Sequence, residues 1–107
     1  MTNALQSKAL AALADPTRQQ VLDILRSGPK PVGEIAARLP VSRPAVSQHL
    51  KVLGEAGLVS VRAEGTRRLY AVRPEGLVPL RRWLDGFWDD VLTRFAAEID
   101  QPEPPHD

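Results

Sequence analysis

Between Ser42 and Lys51 the chain reads "SRPAVSQHLK", a stretch crowded with side chains that hydrogen-bond to base edges and phosphates. Arg43, Ser47 and Lys51 fall at i, i+4 and i+8, which sets them along one side of a helix, with Pro44 and Gln48 beside them. Arginine can pair bidentately with guanine, glutamine with adenine, and serine with several edges, while apolar Pro44 and Ala45 can meet a thymine methyl. Lys51 suits a phosphate. The same residues on an isolated helix would make an ordinary polar face, so the elements around them decide the reading.

Those elements can be placed from punctuation and period. Apolar residues at helical spacing predict a first helix from about Asn3 to Ala14. Asp15 is a good N-cap for a second helix, and Pro16 suits its first position, where the missing N–H is not needed. Gly28 and Pro29 stop it. "PVGEIAARL" predicts a short third helix, with Ile35, Ala36 and Leu39 inward. After a three-residue turn, a fourth runs from about Arg43 to Ala56, capped by Ser42, with Val46, Leu50 and Leu53 inward. Small Ala36 and Ala37 before the turn would let these two helices cross closely.

The period then changes. "LVSVRAEGTRRLYAV" alternates around "AEGT", which predicts two short strands joined by a tight Glu64-Gly65 turn. Arg62, Arg67 and Arg68 flank that turn and suit phosphates or a narrow minor groove. Alternation favours Arg67 or Arg68 over Arg62 as the outward one. From Pro74 a long helix resumes, with Leu77, Leu80, Leu84, Trp88, Val91 and Phe95 in one stripe, widened by Trp83, Phe87, Leu92 and Ile99. Pro79 would mark a late or kinked start, and Gly86 has no evident role. Residues 1–99 read as one domain and 100–107 as a disordered, proline-rich tail.

The fold class is therefore mainly α with a small β-hairpin: a winged helix-turn-helix in the order α-α-α-α-β-β-α. In such domains the second helix of the motif enters the major groove and the hairpin lies along the backbone or minor groove. The terminal helices are too apolar for the surface of so small a domain. Leu5, Leu10, Leu84, Phe87, Trp88, Val91 and Phe95 are the expected interface of a two-fold homodimer, matching a palindromic site on double-stranded DNA.

Charge agrees. The 107-residue chain carries a net charge of only +1, but between Pro29 and Arg73 eight basic residues face three acidic ones, and the remainder is acidic. The chain has no cysteine, which excludes disulfides, thiolate metal sites and cysteine nucleophiles. His49 and His106 are far apart, so no multi-histidine metal site is expected. His49, between the groove-facing and core-facing sides, reads as a helix-packing or phosphate-contacting residue. No phosphate-binding glycine loop and no nucleophile–base pair is present, so neither enzyme activity nor a cofactor is expected. The first residues lack a signal-peptide pattern and no run spans a membrane, which points to the cytoplasm.

Three stretches, "ALADPTRQQVLDIL", "VGEIAARLPVSRPAVSQHLKVLGEAGLV" and "RAEGTRRLYAV", resemble the ArsR-type family of bacterial winged-helix repressors. The resemblance runs from Ala11 to about Ile99. It implies a homodimeric, operator-binding repressor, often of its own promoter, with its recognition helix over Arg43–Leu53 and its wing over Arg62–Tyr70. Many members release DNA on binding metal through cysteines or through Asp/His ligands on the last helix. This chain has no cysteine, and Asp85, Asp89 and Asp90 lack histidine company, so it resembles the metal-independent branch, with the inducing ligand left open. Two other readings fit the fold: a protein-interaction or anti-repressor module, and a metal-responsive repressor using carboxylates and His106.

Overall fold

The structure is a computed structural model that describes residues 4–100, the side chains of residues 5 and 100 excepted. The expected tail beyond residue 100, and with it His106, lies outside the described residues. The elements run α1 (Ala4–Leu13), α2 (Pro16–Leu25), α3 (Val32–Ala37), α4 (Arg43–Glu55), β1 (Val59–Glu64), β2 (Arg67–Val72) and α5 (Pro74–Asp100).

Local chemistry explains most boundaries. Asp15 caps α2, its carboxylate accepting from the Arg18 N–H at 2.9 Å. The next two polar residues turn back on α1: Arg18 Nε donates to the Ala12 carbonyl at 2.6 Å, and Gln19 Nε2 to that of Leu13 at 2.6 Å. One short stretch thus satisfies the start of one helix and the end of another. Ser42 caps α4 through the Ala45 N–H at 3.2 Å. At the other end, Leu58 N–H reaches the Leu53 carbonyl at 2.9 Å and Gly57 N–H that of Gly54 at 3.0 Å. These paired bonds need a left-handed residue between them, and Gly57 supplies it at φ +76°.

Val21, Ile35, Val46, Leu53 and Leu58 are fully buried where α2, α3, α4 and the base of the hairpin meet, and Ala9 and Ala12 close the core from α1. Ala36 packs against this core, but Ala37 is exposed and takes no part in the crossing of α3 and α4. The turn between those helices spans residues 38–42 rather than three residues, because α3 ends early and Pro40 cannot rejoin it.

The hairpin turn is one residue later than expected. Glu64 and Arg67 form the last pair, so the loop is Gly65-Thr66. Gly65 has φ +62° and Thr66 does not share the positive φ, the pattern of a two-residue turn with glycine first. A third segment joins the sheet: Lys30 and Tyr70 exchange both backbone hydrogen bonds at 2.9 Å. This buries the Lys30 side chain, whose Nζ donates to the Ile24 carbonyl at 3.0 Å, Ser27 Oγ at 2.7 Å and the Gly28 carbonyl at 3.3 Å. Lys30 therefore caps the end of α2 and does not belong to the basic surface that its charge first indicated.

Helix α5 starts at Pro74, and Pro79 lies inside it rather than at a late start. The carbonyl that Pro79 deprives of a helical donor belongs to exposed Glu75, and the Pro79 carbonyl accepts from Gln6 Nε2 at 3.2 Å on α1. The first turn of α5 presses on the end of α4: a Cβ on Gly76 would overlap the Gly57 carbonyl oxygen. Gly86 is different. Nothing lies within 4 Å of a Cβ built there, and helical spacing sets it opposite the apolar stripe.

Candidate nucleic-acid interface

Buried Val46, Leu50 and Leu53 fix the rotation of α4. Helical spacing then sets Pro44, Gln48, Lys51 and Glu55 on the opposite side, all exposed. Arg43 and Ser47 are also exposed but lie on the flank toward the hairpin. The outward row is thus Pro44, Gln48 and Lys51 rather than Arg43, Ser47 and Lys51. Glu55, whose place there was not evident from the sequence, ends the row with a negative charge.

Ser47 and Lys51 border a groove of about 260 Å³ whose far wall is Val59, Ser60, Val61 and Tyr70. Recognition helix and hairpin therefore stand side by side with a channel between them. Strand register assigns the faces. Val61 pairs with Tyr70 and Ala63 with Arg68, so Arg68 is on the face turned to α4. Arg62, paired across from buried Leu69, is on the other face with Arg67 and Glu64. Arg62 Nη2 lies 3.6 Å from Glu64 Oε2, both largely exposed.

His49 is half-buried on the flank away from the hairpin, and its Nδ1 is 3.9 Å from Asp15 Oδ2. A carboxylate this close was not visible from sequence, where Asp15 and His49 are far apart. The N-cap of α2 is thereby also a partner of α4 through His49. The hydrogen bond from the Arg18 N–H holds the Asp15 carboxyl below its ordinary 3.8, with nearby Arg18 and His49 charges adding to it against some desolvation. A depressed carboxylate stabilises the fold fully above that ordinary value and loses its contribution as the pH falls below it. Asp15→Asn, which keeps a capping oxygen, should show a shallower loss of stability under acid than the wild type, read by thermal melting between about pH 5 and pH 2. Parallel acid profiles would remove Asp15 from this role.

Beyond residue 80 the exposed side of α5 is apolar: Trp83, Leu84, Phe87, Trp88, Val91, Leu92, Phe95 and Ile99 are each 40–63% exposed. Trp83 and Phe87 stack, with centroids 5.7 Å apart. Leu10 of α1 is 41% exposed. The Leu5 side chain, also expected at an interface, lies outside the described residues. The polar side of α5 carries its own ion pairs, Arg81–Asp85 at 3.5 Å and Arg94–Glu98 at 3.6 Å. Asp85, Asp89 and Asp90 are exposed, and among the described residues no three His, Cys, Asp or Glu converge to hold a metal ion. No helix among them is long and apolar enough to cross a membrane.

The comparisons with known proteins concern this same set of elements. Residues 15–61, from the Asp15 cap through the first half of β1, match the family model described as "Bacterial regulatory protein, arsR family". The chain is 56% identical over 93 residues to the HTH-type transcriptional regulator Rv2034 of Mycobacterium tuberculosis, covering 87% of each chain. It is 33% identical to the transcriptional repressor SdpR of Bacillus subtilis, over 71% of this chain and 84% of that one. Among solved structures it is similar to the homodimeric winged helix-turn-helix DNA-binding domain of Mb0332 from Mycobacterium bovis, a possible ArsR-family regulator. That likeness has a TM-score of 0.65 and 31% identity, and covers 84% of this chain and 83% of that one. Capped recognition helix, adjoining hairpin and these relatives agree: the chain belongs to the ArsR family of bacterial regulatory proteins, as a DNA-binding transcriptional regulator and not an enzyme.

Proposed function

We propose that the chain is a homodimeric repressor that binds an inverted-repeat operator, its own promoter included, and blocks transcription by occupancy in the bacterial cytoplasm. The observation that carries this is the outward row of α4: Pro44, Gln48 and Lys51 exposed on a helix whose other side is locked into the core, beside an arginine-bearing hairpin. Dimerisation is supported by the homodimeric Mycobacterium bovis neighbour and by the uncovered apolar side of α5. Repression is supported by the name of the Bacillus subtilis relative.

In this reading two α4 helices enter successive major grooves about one helical turn apart. Gln48 and Ser47 read base edges, Pro44 meets a thymine methyl, and Lys51 and the hairpin arginines hold phosphates. Leu10, Leu84, Phe87, Trp88, Val91 and Phe95 join the protomers, with Leu5 beside them. Repression by occupancy needs no bond-making chemistry.

Gln48→Ala tests the groove assignment. It should weaken binding to the preferred duplex by about 1–3 kcal/mol and relax preference at one base pair of each half-site, while the salt dependence stays as in the wild type. Fluorescence anisotropy with single-base-pair variants reads both. Unchanged affinity and unchanged preference would place the reading surface elsewhere.

A further inference from the structure

Arg43 stands first in the polar series of α4, yet it does not join the outward row. Its guanidinium crosses to the first turn of α3, where a Cβ on Gly33 would sit 3.8 Å from Nη1 and 4.0 Å from Cζ. There it lines a cavity of about 270 Å³ whose opposite wall is the hairpin, with Arg67 and Arg68. Arg68 comes from the hairpin face turned to α4, and Arg67 from beside the tip. None of the residues lining this cavity is acidic. Glu64 pairs across from Arg67 in the strands, but its carboxylate goes to Arg62. Among the described residues, neither Arg43 nor Arg68 has a carboxylate or carbonyl partner. Cations from two separate elements thus converge, unneutralised, on one hollow. Guanidinium forks match the paired oxygens of a phosphate, and a bound anion would relieve their mutual repulsion.

We infer that Arg43 and Arg68 together seat a single backbone phosphate of the operator, so that recognition helix and hairpin grip the same strand and base reading falls to Pro44, Ser47 and Gln48. This rests on the operator-binding reading above and deepens it. Arg43 is then a register-setting residue: it fixes where α4 stands on the duplex and carries no base preference of its own.

The test uses the full chain and a duplex that it enriches from a random-sequence pool. Methylphosphonates, which neutralise one phosphate at a time, are scanned along both strands. One position in each half-site should weaken wild-type binding several-fold, the same substitution should weaken Arg43→Ala and Arg68→Ala less, and it should leave the variant carrying both changes unaffected. Both single variants should keep wild-type preference at every base pair. The salt slope of the variant carrying both changes should fall by about 0.9 per half-site, so that between about 50 and about 200 mM salt the wild type loses roughly 3.5-fold more affinity per half-site than it does. Arg62→Ala, on the other hairpin face, should keep its sensitivity at that phosphate. Sensitivity of Arg43→Ala there equal to that of the wild type overturns the inference, and relaxed preference at one base pair would then make Arg43 a base reader while operator binding stands. Failure to enrich any duplex would overturn the operator-binding reading itself, and this inference with it.

Discussion

Trp88→Glu should convert the dimer to monomers and weaken operator binding by about 10²–10⁴-fold, the loss expected when two linked half-site contacts become separate events. Trp88 is 56% exposed at the middle of the α5 stripe and belongs to no part of the core, so the substitution leaves each protomer folded. The eight apolar side chains from Trp83 to Ile99 are about half exposed. At roughly 100 Å² each they would leave roughly 800 Å² uncovered. A monomer seldom presents that much contiguous apolar surface, and it is close to what one partner buries in a standard interface. A carboxylate at its centre would be buried without a partner. Sedimentation equilibrium reads the change directly. A Trp88→Glu protein that stays dimeric would move the interface off α5.

Gly76→Ala should lower stability by about 3 kcal/mol, because its Cβ meets backbone rather than a movable side chain. For a domain of this size that is a fall in melting temperature of roughly 10–20 °C. The atom in the way is the carbonyl of Gly57, itself held in the left-handed conformation that ends α4. Arg73 ties the same junction, its N–H donating to the Leu58 carbonyl at 2.9 Å and its Nη1 to that of Gly57 at 3.5 Å. The end of α4, the hairpin base and the start of α5 therefore meet at Gly57 and Gly76. Gly86→Ala is the control. With open space around it and a helical backbone, it should gain about 0.5–1 kcal/mol. Equal melting temperatures for Gly76→Ala and the wild type would mean that α5 is not seated against Gly57.

What could be read in the sequence divides along physical lines. The caps of α2 and α4 and the glycine end of α4 were legible because each is a contact within a few residues of the chain. Asp15, Ser42 and Gly57 announce themselves by type and position. The buried stripe of α4 and the apolar stripe of α5 were legible from period alone. The Gly65-Thr66 loop was placed one residue early, since "AEGT" offers glycine to either alignment and only pairing with the opposite strand chooses. Lys30 counts toward the basic middle of the sequence because its charge is visible, while its backbone pairing with Tyr70, forty residues away, is not. The Asp15–His49 contact and the turn of Arg43 toward α3 were hidden for the same reason: they exist only once α2, α3 and α4 have packed. Pro79 looked like a helix start because the rule against interior proline takes no account of a first turn that can leave one carbonyl to solvent.

Enrichment of the full chain against a random duplex pool, followed by hydroxyl-radical footprinting of the winner, decides whether two copies of α4 read a two-fold operator. The winner should be a two-fold symmetric sequence with two protected half-sites whose centres are about 10–10.5 base pairs apart on one face of the DNA. Gln48→Ala should erode preference at the same base pair of each. Enrichment of an unsymmetric single site, or of no sequence at all, would contradict that reading.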